Sequence, residues 1–123
     1  MVNRVLQPQE IEVFYVLPAL RRELAVCMKE FGKSQKEIAK LVGVTEAAIS
    51  QYLSSKRATF LQFDSKVKLA IKNSAENITD ELSLTRELQR LLILTRQERI
   101  VCKVHENLGT AQKGCNVCFE DLK

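Results

Sequence analysis

Residues 34–57 read SQKEIAKLVGVTEAAISQYLSSKR, and within them two capped helices meet across a four-residue turn. Ser34 followed by Glu37 is a capping box: the Ser hydroxyl can accept from the backbone N–H three residues on, and the Glu carboxylate can reach back to the Ser N–H. A helix therefore starts at Gln35. Ile38, Leu41 and Val42 share one face at helical spacing, and Ala39 is small enough to let a second helix cross closely. Gly43 stops this helix, because Gly takes the left-handed C-terminal position without steric cost. Thr45 caps the next, which is expected to run from about Glu46 to Ser55 with Ile49, Tyr52 and Leu53 as its buried stripe.

A helix, a short Gly-containing turn and a second helix make a helix-turn-helix unit, whose second helix presents its N-terminal residues to base edges in the DNA major groove. Gln35, Glu37, Ala39, Gly43, Val44, Ile49 and Ser50, in that spacing, resemble the helix-turn-helix of lambda-repressor/Cro-type (XRE family) regulators. The resemblance covers roughly residues 18–73. The wider string from VLPALRREL to SQYLSSKR is similar to a group of small archaeal regulators of this type that carry a C-terminal cysteine cluster. Family members often have Gly after the basic pair, where this chain has Ala58; residues 59–64 are also more apolar than that pattern, so the next helix is expected to start differently. The resemblance implies a lambda-repressor-like head and a DNA-binding transcriptional regulator.

At 123 residues the chain is one domain by length, or one compact domain with an appended element. Hydrophobic residues make up 46%, with only two prolines and four glycines, which favours a folded helical protein over a disordered one. No apolar run reaches the length of a membrane span, and the start MVNRVLQPQEIE lacks a signal-peptide core, so a cytoplasmic protein is expected. The net charge is +4, unevenly placed: residues 19–73 hold eleven Lys/Arg against five Asp/Glu, while the flanking stretches are each −1. A basic excess over the helix-turn-helix is an electrostatic footprint for phosphates, although ordinary solvated lysines give a similar balance.

Pro8 stands where a first helical turn would start, and Ile11, Phe14 and Tyr15 recur at helical spacing, predicting a short helix over 9–16. Pro18 is expected to open a second helix with Leu20, Leu24, Cys27, Met28 and Phe31 inward and Gly32 as the stop. After the helix-turn-helix, Asp64 can cap a helix through Val67, Leu69, Ala70 and Ile71. The expected fold is all-α: a five-helix head over residues 1–77, then a long C-terminal helix and a metal-binding tail over 78–123. Thr79 or Asp80 can cap that long helix, which would reach about His105 or Asn107 before Gly109. Leu84, Leu88, Leu91, Thr95, Glu98 and Cys102 lie alternately four and three apart on it. Leu82, Leu92, Ile93, Leu94, Ile100 and Val101 widen the apolar area. Such a surface predicts a homodimer helix, the alternative being a terminal helix packed back on its own domain. Two-fold pairing also suits DNA, since one recognition helix reads few base pairs.

Within the second helix of the motif, Glu46, Ala47, Ser50 and Gln51 are the candidates for base reading. Gln51 can form paired bonds to adenine, Glu46 can accept from a cytosine amino group, and Ala47 can touch a thymine methyl. Glu46 equally suits the helix dipole. Ser34, Gln35, Thr45, Lys56 and Arg57 are placed to hold phosphates of double-stranded DNA, through N–H groups and positive charge. Ala48 is expected to pack.

A second constellation lies at the C-terminus. Cys102 and His105, then Cys115 and Cys118, form two pairs each separated by two residues, with Gly109 and Gly114 between them for the turn back. Three thiolates and an imidazole accept either zinc or an iron-sulfur cluster, and a tail with little core of its own needs such a staple. The resemblance to regulators with C-terminal cysteines favours a sensory iron-sulfur cluster, with structural zinc as the alternative. His105 can instead be a cation near a helix end, and Cys115 with Cys118 can be a bare redox dithiol. Cys27, between Leu24 and Met28, reads as a core thiol.

With one His and no nucleophile paired to a base, phosphate loop or carboxylate pair, nothing points to an enzyme or to a small-molecule substrate. The competing class is a helix-turn-helix protein-interaction module or antitoxin with a structural zinc tail. Salt-sensitive binding to a particular DNA site separates the two.

Overall fold

Four side chains set where helices begin. In a computed structural model that describes residues 7–55 and 61–108, the Ser34, Thr45, Asp64 and Asp80 side chains each accept a bond from the backbone N–H three residues on. Those N–H groups have no partner inside their own helix, so each cap fixes a start point. The elements are α1 (Pro8–Ile11), a π turn (Glu12–Val16), α2 (Leu17–Glu30), α3 (Gln35–Val42), α4 (Glu46–Leu53), α5 (Ser65–Asn77), α6 (Glu81–Gln97) and α7 (Ile100–Leu108). The fold is all-α, with no strand among the described residues.

The two N-terminal helices expected from the sequence are one continuous helical run. Pro18 has no N–H, and in regular α geometry its ring presses on the carbonyl four residues back. A wider turn takes up that misfit: the Leu17 N–H bonds to the Glu12 carbonyl, five residues back. The turn buries Glu12 and Val16 and leaves Phe14 56% exposed, so Phe14 does not join the core face expected of it. On α2, Leu20, Leu24 and Met28 are fully buried as predicted, Cys27 is half-buried and Phe31 is exposed. On α5 the inward face is Val67, Ile71, Ser74 and Ala75, spaced four, three and one; Leu69 falls off it and is 61% exposed.

The long C-terminal helix is broken. Glu98 ends α6, and Arg99 takes a left-handed conformation with φ of 56° before α7 begins. A non-glycine residue in that region costs about 1–2 kcal/mol. The gain is that α7 folds back onto α1 and the π turn, burying Ile100, Val101 and Val104. α6 in turn packs on α5, α2 and α3, with Leu88, Leu91, Leu92 and Thr95 buried. The apolar surface that suggested a partner helix is therefore mostly covered by the chain's own head. Leu82 and Ile93 remain exposed.

α5 ends at Asn77, and a single apolar cluster runs across that point, from Ile11 through Ile49 and Ile71 to Val104. A two-pronged ion pair ties its ends together: Arg96 Nε donates to Glu12 Oε2 at 2.8 Å and Nη2 to Oε1 at 3.1 Å. The Glu12 bond raises the Arg96 pKa above its already high ordinary value. Lys66 Nζ adds a surface pair to Glu98 at 3.2 Å, at the α6–α7 joint.

A shared core makes a direct expectation. Leu91→Ala should lower stability by about 2–5 kcal/mol. Far-UV circular dichroism should show one transition for the whole chain; a head that melts separately from α6 would contradict the shared core.

Candidate nucleic-acid interface

Ser34 Oγ accepts from the Glu37 N–H at 3.2 Å, so α3 is capped as the sequence predicts. The other half of the box differs. The Glu37 carboxylate accepts from the Ser34 hydroxyl at 3.3 Å instead of reaching the Ser34 N–H. At the far end Gly43 adopts φ 78° and ψ 33°, and both its N–H and that of Val44 bond to the Ala39 carbonyl, at 3.0 and 3.1 Å. Thr45 Oγ1 then accepts from Ala48 N–H at 3.1 Å to start α4. The turn between the helices is thus closed by backbone bonds on one side and a cap on the other.

α4 has two distinct faces. Ala48, Ile49 and Tyr52 are buried against α2 and α3, while Glu46, Ala47, Ser50 and Gln51 are exposed. All four base-reading candidates therefore stand on one solvent face of the helix, and Ala48 packs as expected. Ser34 and Gln35 are exposed at the N-terminus of α3 and Thr45 at that of α4, where each helix end carries partial positive charge. Lys56 and Arg57 lie outside the described residues.

Arg22 was not among the residues singled out from the sequence. Its guanidinium pairs with Glu23 at 2.8 Å and reaches Ser55 Oγ at 3.4 Å, tying α2 to a residue two past the end of α4 that holds a left-handed conformation, φ 60°. The sequence shows the Arg21–Arg22 pair but not a partner 33 residues away.

Of the candidate metal ligands, Cys102 is half-buried and His105 buried, both on α7. Three residues apart, they share a helix face. Cys115 and Cys118 lie outside the described residues, and among the described residues no group of three or more His, Cys, Asp or Glu is placed to hold an ion. Cys27 lies elsewhere, on α2. Burial, and then Glu30 and Glu23, push its thiol above the ordinary value, so it stays protonated near neutral pH.

Residues 24–60, which span the second half of α2 and all of α3 and α4, match the helix-turn-helix family model. The chain carries a helix-turn-helix of the lambda-repressor/Cro (XRE) type, the mark of a DNA-binding regulator. α5, α6 and α7 lie beyond the match. No characterised protein and no solved structure matches the chain significantly. Among the described residues no helix is long and apolar enough to cross a membrane.

The cap that starts α4 can be tested alone. Thr45→Ala should cost about 1 kcal/mol of stability in denaturant titration, since it leaves the Ala48 N–H without its side-chain acceptor. Thr45→Ser, which keeps the acceptor, should recover most of that loss.

Proposed function

We propose that this chain is a sequence-specific transcriptional regulator that reads the major groove with the exposed face of α4. The observation that carries the reading is the solvent face of Glu46, Ala47, Ser50 and Gln51 inside a segment that matches the helix-turn-helix family. With Ile49 and Tyr52 held in the core, the orientation of that face is set by packing, not by the exposed side chains. Gln51 suits paired bonds to adenine and Glu46 a cytosine amino group. Ser34, Gln35, Thr45, Lys56 and Arg57 would hold the flanking phosphates and set register.

A homodimer belongs to the same reading, because two recognition helices on half-sites one helical turn apart multiply affinity and fix spacing. Since Leu88 and Leu91 face the chain's own core, pairing has to use other residues. On α6 the exposed apolar candidates are Leu82 and Ile93.

The test is DNA selection followed by titration at several salt concentrations. Gln51→Ala should weaken the preferred site by about 1–3 kcal/mol and relax one base position. Arg57→Ala should weaken all sequences alike and reduce the salt slope by about 1. Identical base preferences for wild type and the Gln51 variant would remove the assignment.

A C-terminal centre completes the proposal. Cys102, His105, Cys115 and Cys118 are its ligands, supported by the placement of the first two one turn apart on α7 and by a donor set suited to zinc or an iron-sulfur cluster. Zinc would supply a structural clip, whereas a cluster would make the tail responsive to redox state. Metal analysis after purification without oxygen should find the ion lost in Cys115→Ala and retained in Cys27→Ala. Full metal content in the Cys115 variant would exclude this ligand set.

A further inference from the structure

The turn that joins α3 to α4 is braced from outside the helix-turn-helix. A Cβ built on Gly43 would lie 3.3 Å from Leu84 Cδ2, so the Leu84 side chain rests directly over the turn backbone. Leu84 belongs to α6, beyond the segment that matches the family. We propose that Leu84 is a positioning residue for DNA reading: it holds the α3–α4 turn, and through it the angle at which α4 presents its exposed face. The proposal rests on the DNA-reading role given above.

The brace is itself anchored. Asp80 caps α6 by accepting from the Ser83 N–H at 2.8 Å, and the Ser83 hydroxyl accepts from the Thr79 and Asp80 N–H groups at 2.8 and 2.9 Å. The Ser83 N–H, and then the Ser83 hydroxyl donating to the same carboxylate at 2.8 Å, hold the Asp80 carboxyl below its ordinary pKa, so it stays ionised as a cap at neutral pH. One turn after Leu84, Leu88 enters the core. Leu84 is thus fixed at both ends, next to a turn whose residue 43 sits in the left-handed region where small φ changes are easily accommodated by glycine. Base-edge contacts depend on sub-ångström placement of α4, whereas attraction to phosphates does not. Trimming Leu84 should therefore damage selectivity more than general DNA affinity.

The experiment compares Leu84→Ala, Leu84→Met and Leu69→Ala in the full chain. Leu69 is 61% exposed on α5 and serves as the control. Leu84→Ala should lower affinity for the preferred site on the order of tenfold, with affinity for random DNA and the salt slope unchanged; Leu84→Met should recover most of it, and Leu69→Ala should behave as wild type. Hydrogen exchange at the Gly43 and Val44 amides, both bonded to Ala39, gives a readout without DNA and should quicken in Leu84→Ala alone. A folded Leu84→Ala with wild-type selectivity would overturn the proposal, as would an equal loss on preferred and random DNA. Should the wild type show no preferred site, the regulator reading itself fails, and unchanged exchange at the two amides would then overturn the brace.

Discussion

Burial of the inner face of α2 is the constraint on which the rest depends. Leu20, Leu24 and Met28 are fully buried, and α3, α4, α5, α6 and the π turn all pack against this helix. α3 and α4 are each only eight residues long, too short to hold helical form alone in water. Their caps choose where they start, but the apolar contact with α2 keeps them helical. Because burial of one large aliphatic side chain is worth about 1.5–3 kcal/mol, three such residues on one helix outweigh any single cap. Capping decides register, and burial decides persistence.

That division explains how much could be read from the chain. Ser34, Gly43, Thr45, Asp64 and Asp80 act through backbone groups three or four residues away, and each was legible from local sequence. So were the inward Ile38, Ile49 and Tyr52, and the exposed quartet on α4 that they define. What escaped has a non-local cause. The break at Glu98–Arg99 carries neither Gly nor Pro, and only the fold-back of α7 onto α1 makes the left-handed Arg99 worthwhile. The Glu12–Arg96 pair spans 84 residues, and the Leu84 contact with Gly43 joins two elements that no periodicity relates.

The exposed apolar side chains illustrate the same limit. Leu69 and Leu82 look like core residues by type, yet helical spacing on α5 and α6 carries them outward once Val67, Ile71 and Leu88 face in. Heptad spacing alone could not say whether Leu84, Leu88 and Leu91 face a second chain or their own head. Three-dimensional closure settles it for Leu88 and Leu91, because α5 and α2 already occupy that side.

The placement of α7 gives the C-terminal thiol and imidazole a mechanical context. Cys102 and His105 stand on a helix whose Ile100, Val101 and Val104 are part of the same apolar cluster as Ile49 of α4. Any tail chemistry that reshapes α7 therefore acts on a packed interface, not on a loose appendage. In a close-packed interior, displacement of one element is felt by its neighbours as lost contact or strain. From α7 the route runs through α6, which shares the Glu12–Arg96 pair near its C-terminus and places Leu84 over the α3–α4 turn near its start. Both points lie on α6, a single uninterrupted helix of 17 residues. That helix therefore joins, within one element, the ion pair beside the α7 contact and the side chain that rests over the α3–α4 turn.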